Sequence, residues 1–500
     1  MTAGLRWLFV APALVQLAAC GAPPSTAELA ADMGEAMGGR AALQRIAVVE
    51  LRGAGTRTRM GQIPATGADD PTGALLDLTE TIDLANGRAA FDVSIVNGDF
   101  TQHRTEVFTR HRDRAIGWAT TEGRPNNLTS ANGLFSWATQ NSPEILLRRN
   151  VVTVALAALA TASPEQTAER REFAGMDALY GTANLASGEQ IGLYFDPDTG
   201  LLAGYTALDT ETMLGDVPAS YALGDYRAVG DLLLPHALRI EKQGRPYADV
   251  QYAGIELDNP LASRIFEVPA DVMADAEQVA AGDGPWAPLN WMPVAPAVYH
   301  AVGFSHHSMV VEFPSFVVLV EAPYTEAQGL RLGRLIEAEL GKPVRYVVPS
   351  HPHYDHTGGV RALAALGATV LVAAGHESEL RELVESPHTN PPDELARRRA
   401  AGDVVGGIEV FAGMTVIEEG AQRVELYEVD TIPHVNPMTL AYVATSGALF
   451  QSDLFFGAAS PDARALYAAI VERGLDVESI VGGHGGVLPF DSLLRAISGN

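Results

Sequence analysis

Four residues able to hold a metal ion stand close together in Ser350-His-Pro-His-Tyr-Asp-His-Thr-Gly-Gly359: His351, His353, Asp355 and His356. Zinc is borderline-soft and accepts both imidazole nitrogen and carboxylate oxygen. Alternate residues of an extended loop can face one ion while their neighbours turn towards another, so the spacing suits two adjacent metals. The bland alternative is an ordinary polar turn, but four such residues rarely coincide at this spacing. A metal pair would lower the pKa of a shared water and polarise a scissile bond, which is hydrolysis without a serine or cysteine nucleophile. Asp355 is the candidate for orienting or shuttling the proton. Cys20 is the only cysteine, so a disulfide within the chain is excluded, and if its thiol carries a lipid any metal site must use nitrogen and oxygen.

The loop needs a rigid frame, and its flanks supply one. An apolar strand at 344–348 leads into it, and Gly358-Gly359 opens a helix behind it. Upstream, a strand at 316–320 and a helix at 328–340 continue the alternation, so 297–500 reads as an α/β-type domain. The pair His306-His307 precedes a strand at 309–313, and its loop can either reach the metal cavity to contact substrate or form a solvent-facing turn.

The preceding half is different in kind. From about 48 to 267 it carries β-type runs, such as Ile191-Gly-Leu-Tyr-Phe195 before the turn Asp196-Pro-Asp-Thr-Gly200, with further strands at 237–241 and 247–257. These predict a large antiparallel sheet over 25–273. The run 151–162 is apolar throughout but far short of the ~20 residues a membrane span needs, and it reads as a buried helix. The segments 195–200 and 225–236 resemble, in strand and turn pattern only, the half-barrel domains of the outer-membrane lipoprotein-carrier superfamily. That resemblance implies a curved sheet able to hold an apolar ligand, against the plainer role of a domain that packs on its neighbour. Between 274 and 296, Ala, Gly, Asp and Pro accumulate around Trp286 and Trp291, the composition of an interdomain linker. The two tryptophans either pack against a sheet or line a pocket at the junction.

At the N-terminus, Arg6 precedes an apolar run that ends in Leu17-Ala-Ala-Cys20-Gly21. Residues 1–20 are similar to a bacterial lipoprotein signal, which implies cleavage before Cys20 and lipid attachment to its thiol. The expected location is the cell envelope, anchored to the outer membrane and facing the periplasm, with the inner membrane as the alternative. Sixty-one acidic against 34 basic residues leave a formal charge of −27, which repels polyanions and argues against a nucleic-acid partner.

From the metal loop onwards the sequence resembles the metallo-β-lactamase superfamily. Thr431-Ile-Pro-His434, Leu449-Phe-Gln-Ser-Asp453 and Ile480-Val-Gly-Gly-His484 match the later motifs of that family in order. The resemblance implies an αββα sandwich and two zinc ions per chain, with another divalent transition metal as the alternative. It implies His351, His353 and His434 on the first ion, Asp355, His356 and His484 on the second, and Asp453 bridging both. Glu321 stands where many relatives carry an Asp that supports the metal loop. His236, His376 and His388 lie outside the motifs and are read as non-ligands. The fold hosts many reactions, so substrate does not follow from it. Asp453 at the bridging position favours an ester, lactone or thioester, partly apolar, over a β-lactam. A non-catalytic lipid carrier with a structural metal is the remaining alternative. Nothing in the sequence addresses the oligomeric state.

Overall fold

A computed structural model describes residues 23–499 except 99, 112–113, 122–123, 131–149, 212, 271–272, 274–288, 304–305, 324 and 391. The signal segment with Cys20, Trp286 and most of the linker lie outside the described residues.

The N-terminal half folds into one 13-stranded sheet. It consists of two meanders. Six strands run from Val48–Thr58 to Arg124–Ser130, and seven run from Glu169–Phe173 to Arg245–Leu257. The first and last of these strands pair antiparallel, Val49 opposite Leu257, so the two meanders become one surface. The alternation of buried and exposed side chains along Leu232–Lys242 and Arg245–Leu257 is the period-two pattern of a sheet with one covered face. Helices Thr26–Ala36 and Val151–Thr161 pack together on that sheet's apolar side. Val152, Val154, Ala155 and Ala158 of the second helix are buried, as the unbroken apolar run requires. Gly34 lets the two helices approach closely, because a Cβ there would meet Leu159 at 2.9 Å. Asn150 caps the second helix by accepting from the Val152 amide.

The C-terminal half contains a 7-stranded and a 6-stranded sheet. Val298, Met309, Val311, Val318, Val320 and Val348 of the first meet Val424, Leu426, Ala441, Val443, Phe450 and Val481 of the second in a continuous inter-sheet core. Helices Glu326–Leu340, Val360–Ala365 and Glu377–Glu385 cover the outer face of the first sheet, and Pro461–Arg473 and Phe490–Ser498 cover the second. The architecture is therefore αββα, with a mainly antiparallel β unit ahead of it. One boundary differs from the compositional reading. Residues Asn290–Ala295, placed by composition in the linker, form the edge strand of the first sheet, paired with Val298–Val302. An edge strand tolerates Pro293, whose missing N–H costs no ladder bond on the open side. Trp291 packs on Tyr299, ring centroids 4.8 Å apart, rather than marking a loose connection.

Among the described residues, no helix is long and apolar enough to cross a membrane.

Candidate metal centre

Parallel strands Val317–Val320 and Val344–Val348 lie side by side, and their C-terminal ends deliver Glu321 and the His351–His356 loop to the same place. Strand Ala448–Ser452 of the second sheet ends at Asp453, and Ser479–Gly482 beside it leads to His484. The loop before Met438–Val443 contributes His434. Candidate ligands from both sheets thus meet where strands stop, and backbone is free to turn.

Two groups of ligand atoms result. His351, His353 and His434 offer one nitrogen each within 4.8 Å of one another, and His306, Asp355, His356 and His484 do the same with the aspartate supplying an oxygen; a third combination, Glu321 with His351 and His356, overlaps both. Asp453 stands between the groups: its Oδ2 lies 3.1 Å from His356 Nε2 and 3.2 Å from His434 Nε2, and its Oδ1 lies 3.4 Å from His484 Nε2. His351 and His356 are fully buried, whereas the side chains of His434, His484 and Asp355 keep 27%, 25% and 22% exposure. Solvent therefore reaches the centre from one side.

A chain of hydrogen bonds fixes which nitrogens are available. Glu321 is wholly buried and accepts from the hydroxyls of Ser350 and Ser452 on one oxygen and from His356 Nδ1, at 3.0 Å, on the other. Because the Ser350 hydroxyl donates to Glu321, its oxygen accepts from His351 Nδ1 at 2.8 Å. Both imidazoles then carry a proton on Nδ1, so Nε2 is the nitrogen His351 presents and the one His356 would offer a metal once any second proton has left. His353 is held the other way round: its Nε2 lies 3.0 Å from the Ile63 carbonyl, which can only accept, so Nδ1 is the bare nitrogen. Glu321 and Ser452 both have positive φ, +66° and +58°, a costly conformation for residues with a Cβ. Gly483 makes room for them, since a Cβ there would sit 2.8 Å from Glu321 Oε2.

Electrostatics follow from burial and from these contacts. Burial pushes His351 well below the ordinary imidazole value and takes His353 down to about 4. Burial also opposes charge on His356, but Asp453 and Glu321 outweigh it and raise this group well above its usual value. Asp355 and Asp453 would be raised by burial, yet the His306 hydrogen bond to the former and the His356 charge beside the latter hold both far below the carboxylate range.

Residues 301–428 match the metallo-beta-lactamase superfamily. That match falls within the C-terminal αββα domain. Solved structures similar to it include a metallo-beta-lactamase from Pontibacter korlensis, 20% identical over 42% of this chain and 97% of that one, with a TM-score of 0.32. Others are a metallo-beta-lactamase from Pseudomonas aeruginosa in its mono-zinc form (16% identity, 42% and 94% coverage, TM-score 0.33) and one from Hirschia baltica (14%, 42% and 97%, 0.30). A match to this superfamily supports a metal-dependent hydrolase in general terms.

The residues present fit a metal. Nε2 of His351 is buried with no hydrogen-bond partner, an arrangement that costs about 1–3 kcal/mol if nothing else satisfies it, and Nε2 of His356 and His434 converge on the single carboxylate of Asp453. The donor set is nitrogen and oxygen, with no thiolate, as zinc and its neighbours in the periodic table accept.

The other residues singled out in the sequence sort as follows. His306 points into the centre, with Nε2 3.0 Å from Asp355 Oδ2. His307 does not: it is buried edge-on against His300, centroids 5.1 Å apart, so the reading of it as a substrate contact is corrected. Successive residues at a strand start face opposite sides of the sheet, which separates the pair. His236, His376 and His388 stay outside both groups, and the first two bond the carbonyls of Leu234 and Pro437. Sequence reasoning missed Ser350 and Ser452, and it missed Gln62, in the connection between the first two strands of the N-terminal sheet, whose Nε2 donates to Asp355 Oδ1 at 2.7 Å. The available signal for Gln62 was the Gly- and Pro-rich connection 59–71, of a length that is usually functional in a compact domain.

Proposed function

We propose that this protein is a zinc-dependent hydrolase of the bacterial cell envelope, acting on an ester, lactone or thioester with an apolar portion. The observation that carries the hydrolytic reading is Asp453, a single carboxylate set between two groups of candidate metal ligands. A closed four-ligand structural site has no use for a shared carboxylate and a solvent-exposed side. When bound, a zinc pair supplies an acidified water and polarises the scissile carbonyl.

The chain's own residues do the rest. His306 and Gln62 each hold one oxygen of Asp355 and fix its carboxylate within reach of His356 and His484, as the ionised form that a metal would accept as ligand. Phe456 lies beside His484, ring centroids 5.7 Å apart, and is 61% exposed. An exposed aromatic at the mouth of a polar centre supports a substrate with an apolar portion. Among the described residues, the apolar space between Val151, Val152, Leu234 and Tyr252 measures ≈ 20 Å³, room for about one water.

For location, the lipobox-like Leu17-Ala-Ala-Cys20 supports a lipid anchor in the outer membrane. Membrane fractionation of wild type and Cys20→Ser checks it: the wild type is expected in the membrane fraction and the variant in the soluble one. The reaction is tested with zinc-reconstituted soluble protein on p-nitrophenyl esters of rising chain length, a γ-lactone, a thioester and a chromogenic cephalosporin. Turnover of the esters or lactone, abolished by Asp453→Asn, is expected. Turnover of the cephalosporin alone, or full activity in Asp453→Asn, overturns the proposal.

A further inference from the structure

The segment 61–67 leaves the N-terminal sheet and lies across both metal-bearing loops. On the first loop, the Gly61 carbonyl accepts from the Tyr354 amide at 3.1 Å, Gln62 Nε2 donates to Asp355 Oδ1 at 2.7 Å, and the Ile63 carbonyl accepts from His353 Nε2 at 3.0 Å. On the second, the Pro64 carbonyl accepts from the Asn436 amide at 3.3 Å, and the Thr66 amide donates to the Asn436 carbonyl at 3.1 Å, two residues past His434. Beyond that, Thr66 Oγ1 bonds the Gly375 carbonyl, and the Gly67 amide reaches Glu379 at 3.3 Å.

The segment is itself anchored. The Gln62 amide donates to Asp70 at 2.9 Å, and the Gln62 side-chain oxygen accepts from Arg59 at 2.9 Å, which leaves the side-chain nitrogen no role but to donate to Asp355. Gln62 is 8% exposed. Gly61 has φ +74°, and a Cβ there would lie 2.7 Å from Met213 and 3.4 Å from Tyr354, so only glycine lets the segment approach this closely.

We propose that residues 61–67 form a strap that completes the metal centre from the other domain, with Gln62 positioning Asp355 and the Ile63 carbonyl selecting the His353 tautomer whose Nδ1 faces the metal. Partners that orient a metal ligand are worth about 10–100-fold in metal affinity when they are lost. The strap touches both groups, since it bonds His353 and the turn that carries His434 in the first and Asp355 in the second. The N-terminal sheet is therefore part of the metal site and not an appended module. This inference rests on the reading of the centre as a zinc site but not on any substrate.

The test uses the full zinc-loaded chain and reads metal, not turnover, so it stands apart from the hydrolase assay. Gln62→Met keeps side-chain length and removes the donor. Titration with a chromophoric chelator is expected to show zinc held about 10–100-fold more weakly in Gln62→Met. The metal-free variant should melt with the same cooperativity as wild type. Because coupling is reciprocal, zinc must also tighten the strap. Amide hydrogen exchange of wild type is expected to slow over 61–67 and around Asn436 when zinc is added. The exchange measurement decides the matter alone if Gln62→Met does not fold. Zinc affinity within about two-fold of wild type in a folded Gln62→Met, or exchange over 61–67 that is indifferent to zinc, overturns the proposal.

Discussion

Replacing Glu321 by glutamine probes the hydrogen-bond relay with almost no change of shape. The carboxylate accepts on both oxygens, from Ser350 and Ser452 on one side and from His356 Nδ1 on the other. An amide can accept on one side only. If Gln turns its nitrogen towards His356, that imidazole must move its proton to Nε2 and loses the bare nitrogen. If the nitrogen faces Ser350, the serine hydroxyl is released to donate to His351 Nδ1, and the same inversion reaches His351 through the 2.8 Å contact. Either way one imidazole carries its proton where the metal should be. A hydrogen bond to a charged group contributes about 1.5–3 kcal/mol, which corresponds to roughly 10–100-fold in zinc affinity. Glu321→Ala should lose at least as much affinity, and the metal-free protein should also lose about 2–4 kcal/mol of stability, through the cavity and the unpaired His356 Nδ1. Zinc titration against a chelator measures the first quantity, and urea unfolding of the metal-free chain measures the second. Two zinc sites of unchanged affinity in Glu321→Gln would refute the relay.

Three further outcomes follow from the same geometry. In the metal-free protein Asp453 and Glu321 favour the charged form of His356, whereas burial favours the neutral forms of His351 and His353. Zinc binding should therefore release about one proton from His356, seen by calorimetry in buffers of different ionisation enthalpy, and affinity should rise with pH. Buried histidines lowered in the fold, including His353 at about 4, His388 at about 4 and His351, take up protons more readily once unfolded. The sign is that unfolded chains bind more protons between their ordinary value near 6.5 and about 4, so the metal-free protein should lose stability as pH falls through that window, as urea midpoints would record. His356 acts in the opposite sense, its contribution being present below 6.5 and lost as pH rises through its raised value. Phe456→Ala should raise KM for long-chain esters by about 10-fold, with kcat little changed, since it removes uniform binding of an apolar group; a change in kcat alone would remove Phe456 from the substrate site.

What could be read beforehand follows the distance over which each feature is encoded. The His351–His356 loop is local, and its ligand types and flanking strand are visible in a dozen residues. His434, Asp453 and His484 are scattered, and only the resemblance to a family assembled them. Helix Val151–Thr161 was legible because an unbroken apolar run has one common fate in a soluble core. Joining the two meanders through Val49 and Leu257 was not, since antiparallel pairing carries no signature across 200 residues of chain. The direction of His306 and His307 depended on where the strand begins, and a one-residue difference reverses a side chain. Gln62 lay furthest from view. Its partner is 293 residues away, and its neighbour Ile63 acts through a carbonyl that every residue possesses.

The most direct measurement is the metal content of the full chain after zinc loading and desalting, paired with hydrolysis before and after chelation. About two zinc ions per chain are expected, with ester or lactone hydrolysis that vanishes on stripping and returns on adding zinc. A chain that keeps no stoichiometric metal, and hydrolyses at an undiminished rate when stripped, would contradict the assignment of this centre as catalytic.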